Sequence, residues 1–517
     1  MAKRRKRKIT PEDLCRLHYL SGPQISPDGR TIVFVHRQVG NKNDYVVNLW
    51  TVGTDGGAPR PFTGGGADGH PHWSPDGTRI AFVRGRAHEP QQIHTIPAAG
   101  GEAAPLTRLP EGKIRDFRWS PDGRRLALAF REQDPEWTKE AKKARAERGL
   151  SEPPRVLDDW WYRLDGDGYF NAQRYALYLV DAGTGEHRRV FGRDTLGLFT
   201  YDFSPDARRL VVCANVHPKA MIRPHETGLF RLDVKTGKAR RLPGLPDGPK
   251  DGVRWSPDGR RIAWAGRPGL DDVYSVENLE LFVGDASRGG ARSLSAKEDY
   301  CLLATTIDDL SEPAFGPNLR WSPDGKRIFL SLGWHGETHV ASVPARGGRI
   351  AFHTSGAAVH AMGNLSADGR RMALAVSSAT SPPEIAVAAV RGGAFRVRRL
   401  TALNAPLLRE IELARPRSHW VRAKDGTRVQ VWSMRPPGPG RGRKAPAVLE
   451  IHGGPHAQYG VGFFHEFQVL AANGYAVFFP NPRGSKGYGR DHCAAIRGDW
   501  GGADWEDVQA VTAFMKR

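Results

Sequence analysis

The stretch VLEIHGGPHAQYG, Val448–Gly460, carries the residues whose types and spacing best suit catalysis. A mostly apolar run ends at His452, and Gly453, Gly454 and Pro455 then break the extended backbone. Glycines at such a break let backbone N–H groups face a small negative atom with no Cβ in the way. That is the loop chemistry of acyl transfer, in which N–H donors hold the oxyanion of a tetrahedral intermediate. An oxyanion loop needs a nucleophile, yet no G-x-S-x-G stands anywhere in the 517 residues. Ser485 and Asp491 lie near His452, His456, His465 and His492 in sequence. These read as loop and packing residues, because Ser485 sits in a glycine-rich loop without the strained turn that exposes a nucleophile. His452 is expected to fix the oxyanion turn by hydrogen bonding.

Regular elements must position this loop. AVLEIH reads as a buried strand and YAVFFP as another. Between them FFHEFQVLAANG has helical spacing closed by Gly474. NPRGSKGYGR is a glycine-rich loop, and GADWEDVQAVTAFMKR is a helix with acidic residues at its start. Upstream, HWVRAKDGTRVQVWSMRPPG reads as two antiparallel strands about Lys424-Asp425-Gly426. GPGRGRKAP follows as a loop, and ALNAPLLREIELARPRSHW precedes the pair as a linker. This succession is the opening of an α/β sheet. In isolation YAVFFP is expected to lack a covering neighbour, which leaves apolar surface and unpaired backbone exposed.

Before Thr401 the chain repeats. ISPDGRTIVFV starts at Ile25, WSPDGTRIAFV at Trp73, WSPDGRRLALA at Trp119 and FSPDARRLVVC at Phe203. WSPDGRRIAWA starts at Trp255, WSPDGKRIFLS at Trp321 and LSADGRRMALA at Leu365. Each reads as a tight turn in which proline presets φ, aspartate caps and glycine takes positive φ, followed by a strand. A second hairpin signal follows each copy, for example LYLVDAGTGEHRRVF from Leu177. Two hairpins per unit give about four strands, and seven such units predict a seven-bladed β-propeller. The long insertion at 133–172 has a charged, helix-prone first half. Its second half is aromatic and acidic, with Trp160, Trp161, Tyr162, Asp165, Asp167 and Tyr169. These aromatics are expected to pack on their own blade; the alternative is a loop over the propeller mouth that contacts substrate. The long connection between the fifth and sixth units is given no role.

A net charge of +20 could signal nucleic-acid binding, but the arginines are scattered through turns and strand ends as on a solvated surface. Only MAKRRKRK is a cluster, and no apolar stretch follows it, so it does not read as a secretory signal. No run of about 18 uninterrupted apolar residues is present, so no membrane partner is expected. Cys15, Cys213, Cys301 and Cys493 are far apart without metal spacing and read as reduced thiols of a cytoplasmic protein. No metal or organic cofactor is expected, a nucleic-acid partner is disfavoured, and self-association into a homo-oligomer stays open.

HGGP at His452–Pro455, NPRGSKGYG at Asn481–Gly489 and GDWGGADWEDV at Gly498–Val508 stand in an order that resembles the prolyl oligopeptidase family of serine peptidases. The chain as a whole is most similar to its acylaminoacyl-peptidase-like branch. The resemblance covers nearly all of the sequence and implies a seven-bladed propeller followed by an α/β-hydrolase domain. Domain expectations follow: a basic segment at 1–20, the propeller at 21–402, and an incomplete α/β-hydrolase domain at 403–517. By carry-over, the Gly454 N–H is an oxyanion donor, Gly453 shapes the oxyanion loop, and Arg483 binds substrate or braces the loop beside the site. The Ser, Asp and His of the triad are expected beyond residue 517, so the chain alone is expected to be inactive. Short or N-acylated peptides are the implied substrates. The family's dipeptidyl branch grips the substrate amino terminus with paired glutamates from the propeller, and no comparable pair stands here. The other readings are an interaction scaffold and an esterase. HGGP and RGSKGYG argue against a pure scaffold.

Overall fold

The computed structural model describes residues 6–85, 89–270, 276–304, 306–310, 316–438 and 444–517. Residues 1–5 of the basic cluster, 439–443 of the GPGRGRKAP loop, and 305 and 311–315 of the long connection lie outside the described residues.

The repeated turn shows why its four residues recur. At Ser74 the hydroxyl donates to Asp76 Oδ1 at 2.5 Å and accepts from the Arg79 N–H at 3.0 Å. The Asp76 carboxylate accepts from the Thr78 N–H at 3.0 Å. Backbone bonds Ser74 N–H to Arg79 O and Gly77 N–H to Ser74 O close the turn. Gly77 sits at φ +72°, in the left-handed region that glycine enters without a steric penalty. The same hydroxyl-to-carboxylate bond recurs at Ser26, Ser120, Ser204, Ser256, Ser322 and Ser366. The copy FSPDA keeps the geometry with Ala207 at φ +56°.

These turns connect antiparallel strands. Tyr19–Ile25, Thr31–Val39, Tyr45–Gly53 and Arg60–Pro61 form one four-stranded sheet. The next comprises Asp68–Trp73, Arg79–Arg84, Gln92–Pro97 and Ala104–Pro105. Gly112–Trp119, Arg125–Glu132, Ala176–Asp181 and His187–Phe191 form another, as do Thr200–Phe203, Arg209–Asn215, Thr227–Asp233 and Ala239–Arg241. Lys250–Trp255, Arg261–Gly266, Glu280–Asp285 and Gly289–Ser293 follow. An eight-stranded sheet spans Leu319–Trp321 to Arg396–Arg399. Its two antiparallel sets touch through one parallel pairing, Thr338 with Val359. Side chains alternate along the strands, and Leu126, Leu128 and Phe130 are buried in one cluster with Ala81, Val83 and Ile93 of the preceding sheet.

Two compact units result: 1–62, 273–282 and 293–517 in one, 63–272 and 283–292 in the other. In the first, the sheet that begins at Tyr19 packs on the one that ends at Arg399. Leu20, Ile25, Phe34, Ala375, Ile385 and Val387 share a cluster, and Ile25 exchanges two hydrogen bonds with the Asn364 side chain. Arg7–Lys8 pairs in parallel with Ile411–Glu412. The second unit contains the insertion. Lys139–Glu147 is the expected helix. Asp167 is clamped by Arg131 at 2.9 Å and Lys113 at 2.6 Å, both on the insertion's own sheet. Trp161 donates to Leu196 O at 2.8 Å, whereas Trp160 is exposed.

The carboxy-terminal sheet has the order Arg417–Arg422, Arg428–Met434, Ala476–Asn481, Ala447–Leu449. The first three strands are antiparallel neighbours, and the last pair is parallel. Helix His465–Ala472 packs Phe467 and Ala471 on the face of Trp432 and Met434, with Tyr459, Val477 and Phe479. Helix Ala503–Lys516 packs Val511 on the opposite face, with Val421, Val429 and Val431. Three expectations need correction. AVLEIH is a strand only over Ala447–Leu449 and is half-exposed, with Ile451 50% exposed, because it lies at the edge of the described sheet. YAVFFP is central, hydrogen-bonded on both sides, so it does not lack a neighbour. The linker before His419 contains a helix, Ala405–Glu410, whose Leu407 is buried.

Candidate active site

The His452–Pro455 loop, the expected oxyanion loop, follows the Ala447–Leu449 strand. Gly454 adopts φ +132°, and a Cβ there would meet His456 N at 2.9 Å and Ala457 N at 3.2 Å. Only glycine fits without strain. The Gly454 N–H makes no hydrogen bond among the described residues. Gly453 differs: its φ is outside the left-handed region and a Cβ would meet nothing within 4 Å. The turn is therefore shaped by Gly454, not by Gly453, whose missing side chain keeps open space over the loop.

His452 performs the expected structural task. Its ring is buried, with Nδ1 3.0 Å from Gly453 O and Nε2 2.9 Å from Ser485 Oγ. The Ser485 hydroxyl donates to Pro482 O at 2.6 Å, so it accepts from His452. A general base must instead take the proton of its nucleophile. Ser485 is also 1% exposed, beyond a substrate's reach. Burial pushes the His452, His456 and His492 imidazoles below the ordinary histidine value. Each holds the loops together: His456 Nδ1 lies 2.8 Å from Gly484 O and His492 Nε2 3.0 Å from Pro482 O. His465 lies elsewhere, with Nε2 3.2 Å from Thr10 O.

Arg483 braces rather than binds. Its backbone N–H and guanidinium hold Asp507, which has no exposed surface, at 2.7 to 3.1 Å. A further nitrogen reaches Asp425 at 2.5 Å. With its donors on two carboxylates, the side chain is not free for substrate, which corrects its expected substrate-binding role. The pair with Asp507, and then that with Asp425, raises the guanidinium pKa above its ordinary value.

Several residues that position these loops have roles that no motif reveals, although Asn481 and Tyr488 stand in NPRGSKGYG. Asn481 accepts from the Tyr459 N–H at 2.8 Å and donates to the Tyr488 hydroxyl, which in turn donates to Gln430. Gln458, fully buried, accepts from the Gly336 N–H at 2.9 Å and donates to Thr306 Oγ1 at 3.3 Å. Its partners are 122 and 152 residues away, which no local pattern reveals. The strands Arg327–Trp334 and Glu337–Pro344 are joined by a two-residue tip, His335-Gly336, with both residues in left-handed turn positions. His335 and Gly336 sit at φ +49° and +76°. The tip docks on the two loops through His335 N–H to Gly487 O at 3.0 Å and Val461 N–H to Gly336 O at 2.9 Å.

Among the described residues no group of three or more His, Cys, Asp or Glu side chains could hold a metal, and no helix is long and apolar enough to cross a membrane. Two family models match, the TolB beta propeller domain over residues 14–153 and the prolyl oligopeptidase family over 461–517. An uncharacterized peptidase, YuxL, of Bacillus subtilis is 30% identical over 99% of this chain and 76% of its own. Dipeptidyl-peptidase 5 of Porphyromonas gingivalis is 25% identical over 98% of this chain and 73% of its own. Among solved structures, an acylaminoacyl peptidase in complex with Z-Gly-Gly-Phe-chloromethyl ketone superposes with a TM-score of 0.76 at 20% identity, covering 98% of this chain and 72% of that one. That likeness makes the fold a β-propeller joined to an α/β-hydrolase domain. Propeller repeats, an α/β sheet followed by the HGGP loop, and a relative this similar along its length place the chain in the prolyl oligopeptidase family.

Proposed function

We propose that this protein is a peptidase of the serine type that cleaves short or N-acylated peptides, with residues 403–517 in its catalytic domain. The observation that carries the reading is the Gly454 loop, at the end of a strand in a hydrolase-like sheet, with its N–H uncommitted. In the reaction a serine attacks the peptide carbonyl, a histidine takes its proton, and the carbonyl oxygen accepts a hydrogen bond from the Gly454 N–H as it becomes an oxyanion. Serine, histidine and aspartate of that triad are not supplied by residues 1–517: Ser485 is buried and bonded elsewhere, and no G-x-S-x-G is present. Peptides are favoured over esters because the relatives bear peptidase names. Residues 21–402 are assigned seven blades, supported by the seven turns and by the packing of the Tyr19 sheet on the sheet ending at Arg399. A cytoplasmic setting is supported by four free cysteines.

The test is an assay of residues 1–517 with p-nitroanilide peptides, acetyl-amino-acid substrates and a fluorophosphonate probe. No turnover and no labelled serine are expected. Turnover with covalent labelling of a serine within 1–517 overturns the assignment of the triad. An experimental structure with six or eight blades overturns the blade number.

A further inference from the structure

The insertion at 133–172 borders a cavity of about 220 Å³, whose lining includes Glu132, Asp134, Trp137, Arg155, Tyr169 and Asn171. That is below the roughly 300–1,000 Å³ of pockets for drug-sized ligands and suits a single headgroup. The whole lining belongs to the second compact unit, whereas His452–Pro455 belong to the first.

One side chain of the insertion already holds the best position in it. Arg155 Cζ lies 3.5 Å from the Trp137 ring centroid and 4.2 Å from that of Tyr169. A planar cation over two π faces is attracted by their negative quadrupoles. The guanidinium also donates to Asn171 Oδ1 at 3.3 Å. Asn171 is preset for that task. Its Nδ2 donates to Asp134 Oδ2 at 2.7 Å, which turns the amide oxygen toward the cation. Its backbone sits at φ +51°, with its N–H on Tyr162 O and its carbonyl accepting from Arg174. The Glu132 and Asp134 carboxylates in the lining favour positive charge. Lys142 opposes it, with Nζ 5.0 Å from the Trp137 centroid, and is itself 3.7 Å from Glu152.

The cage is built more firmly than its occupant. Trp137 is buried, and the Tyr169 ring stacks on Tyr162 at 5.9 Å. Arg155 is exposed, and residues 152–158 make no backbone hydrogen bond among the described residues, although Pro153 is buried. A guanidinium carried by such a stretch can leave the cage while the cage stays in place. We propose that Trp137, Tyr169 and Asn171 form a binding site for a guanidinium group, and that Arg155 plugs this site until a ligand guanidinium displaces it. The ligand is a free guanidino compound or the arginine side chain of a peptide, and neither terminus of a peptide takes part. The site stands apart from the hydrolysis assigned to the Gly454 loop.

The test is calorimetric titration of residues 1–517, and of the Arg155→Ala variant, with acetyl-arginine amide, its neutral isostere acetyl-citrulline amide, and methylguanidine. Arg155→Ala should bind acetyl-arginine amide saturably and about tenfold more tightly than the parent, whose site is open only while the plug is out. Acetyl-citrulline amide keeps the shape without the charge and should bind about three- to tenfold more weakly. Tyr169→Leu added to Arg155→Ala removes one face of the cage and should shrink the preference for arginine over citrulline. Both substituted residues are exposed, and circular dichroism confirms that the variants fold. Methylguanidine separates the two ligand sources. Binding as tight as that of acetyl-arginine amide supports a free guanidino compound, and markedly weaker binding supports an arginine side chain. Absence of saturable binding by Arg155→Ala, equal affinity for the arginine and citrulline ligands, or a parent that binds as tightly as Arg155→Ala overturns the proposal.

Discussion

Gly454 and Arg483 each tie one residue type to one physical demand. At Gly454 the demand is backbone shape with an uncommitted N–H, so Gly454→Val in a chain that carries the triad should lower kcat by about 10²–10³ while leaving the propeller folded. Unchanged kcat would show that another loop holds the oxyanion. At Arg483 the demand is charge. Arg483→Met leaves Asp507 buried without its partner, and a loss of about 3–5 kcal/mol is expected from denaturant unfolding. A loss below about 1 kcal/mol would show that water reaches Asp507 and replaces the arginine. Gly454 was legible because only glycine tolerates its backbone conformation, whereas Gly453 meets no such demand. The role of Arg483 was half-legible: the residue stood in a recognisable loop, but its partner comes from a helix 24 residues on. Gln458 was invisible, since an amide acquires a role only through what folding places beside it.

Turns were the most legible elements, because Ser-Pro-Asp-Gly specifies its own conformation. The exception supplies a test. Ala207 holds the left-handed position that glycine holds in the other copies, and such strain costs on the order of 1 kcal/mol. Ala207→Gly should therefore stabilise the protein by up to about 1 kcal/mol, read as a raised midpoint in urea; destabilisation would mean that the buried Ala207 methyl contributes more by packing. The Trp334–Glu337 hairpin has the opposite sensitivity. A Cβ on Gly336 would collide with the Trp432 ring and approach Gly460 Cα to 2.9 Å. Gly336→Ala should cost roughly 2–4 kcal/mol from overpacking and φ strain. Strand edges were less legible than turns. AVLEIH has the apolar content of a buried strand, and its exposure depends on its place in the sheet order, which the segment does not encode.

The repeated turns act in concert on the whole molecule. Serine hydroxyls hold Asp28, Asp76, Asp206, Asp258, Asp324 and Asp368 below the usual carboxylate range, and Asp122 shifts the same way against its burial. A carboxylate whose folded pKa lies below its unfolded value adds stability at higher pH and loses it as pH falls through the folded pKa. The stabilisation is thus full above the ordinary aspartate value of 3.8 and fades below it. Asp258→Asn should be less stable than the parent at pH 7, with the gap narrowing below about pH 4; a gap that does not change with pH would deny the turns this role. The pairing of the amino-terminal segment with residues near 404–412 bears on how the chain is made. His18 donates its N–H to Asn404, 386 residues later. At roughly 5–20 residues per second, a ribosome needs on the order of 20–80 s to deliver that partner. The first strand should therefore wait on the nascent chain with its backbone open, accessible to chaperones and proteases. Nascent chains stalled before residue 404 should be nicked by protease near residues 7–25, and chains stalled well past 412 should resist, so equal cleavage in both would show that the segment finds protection earlier.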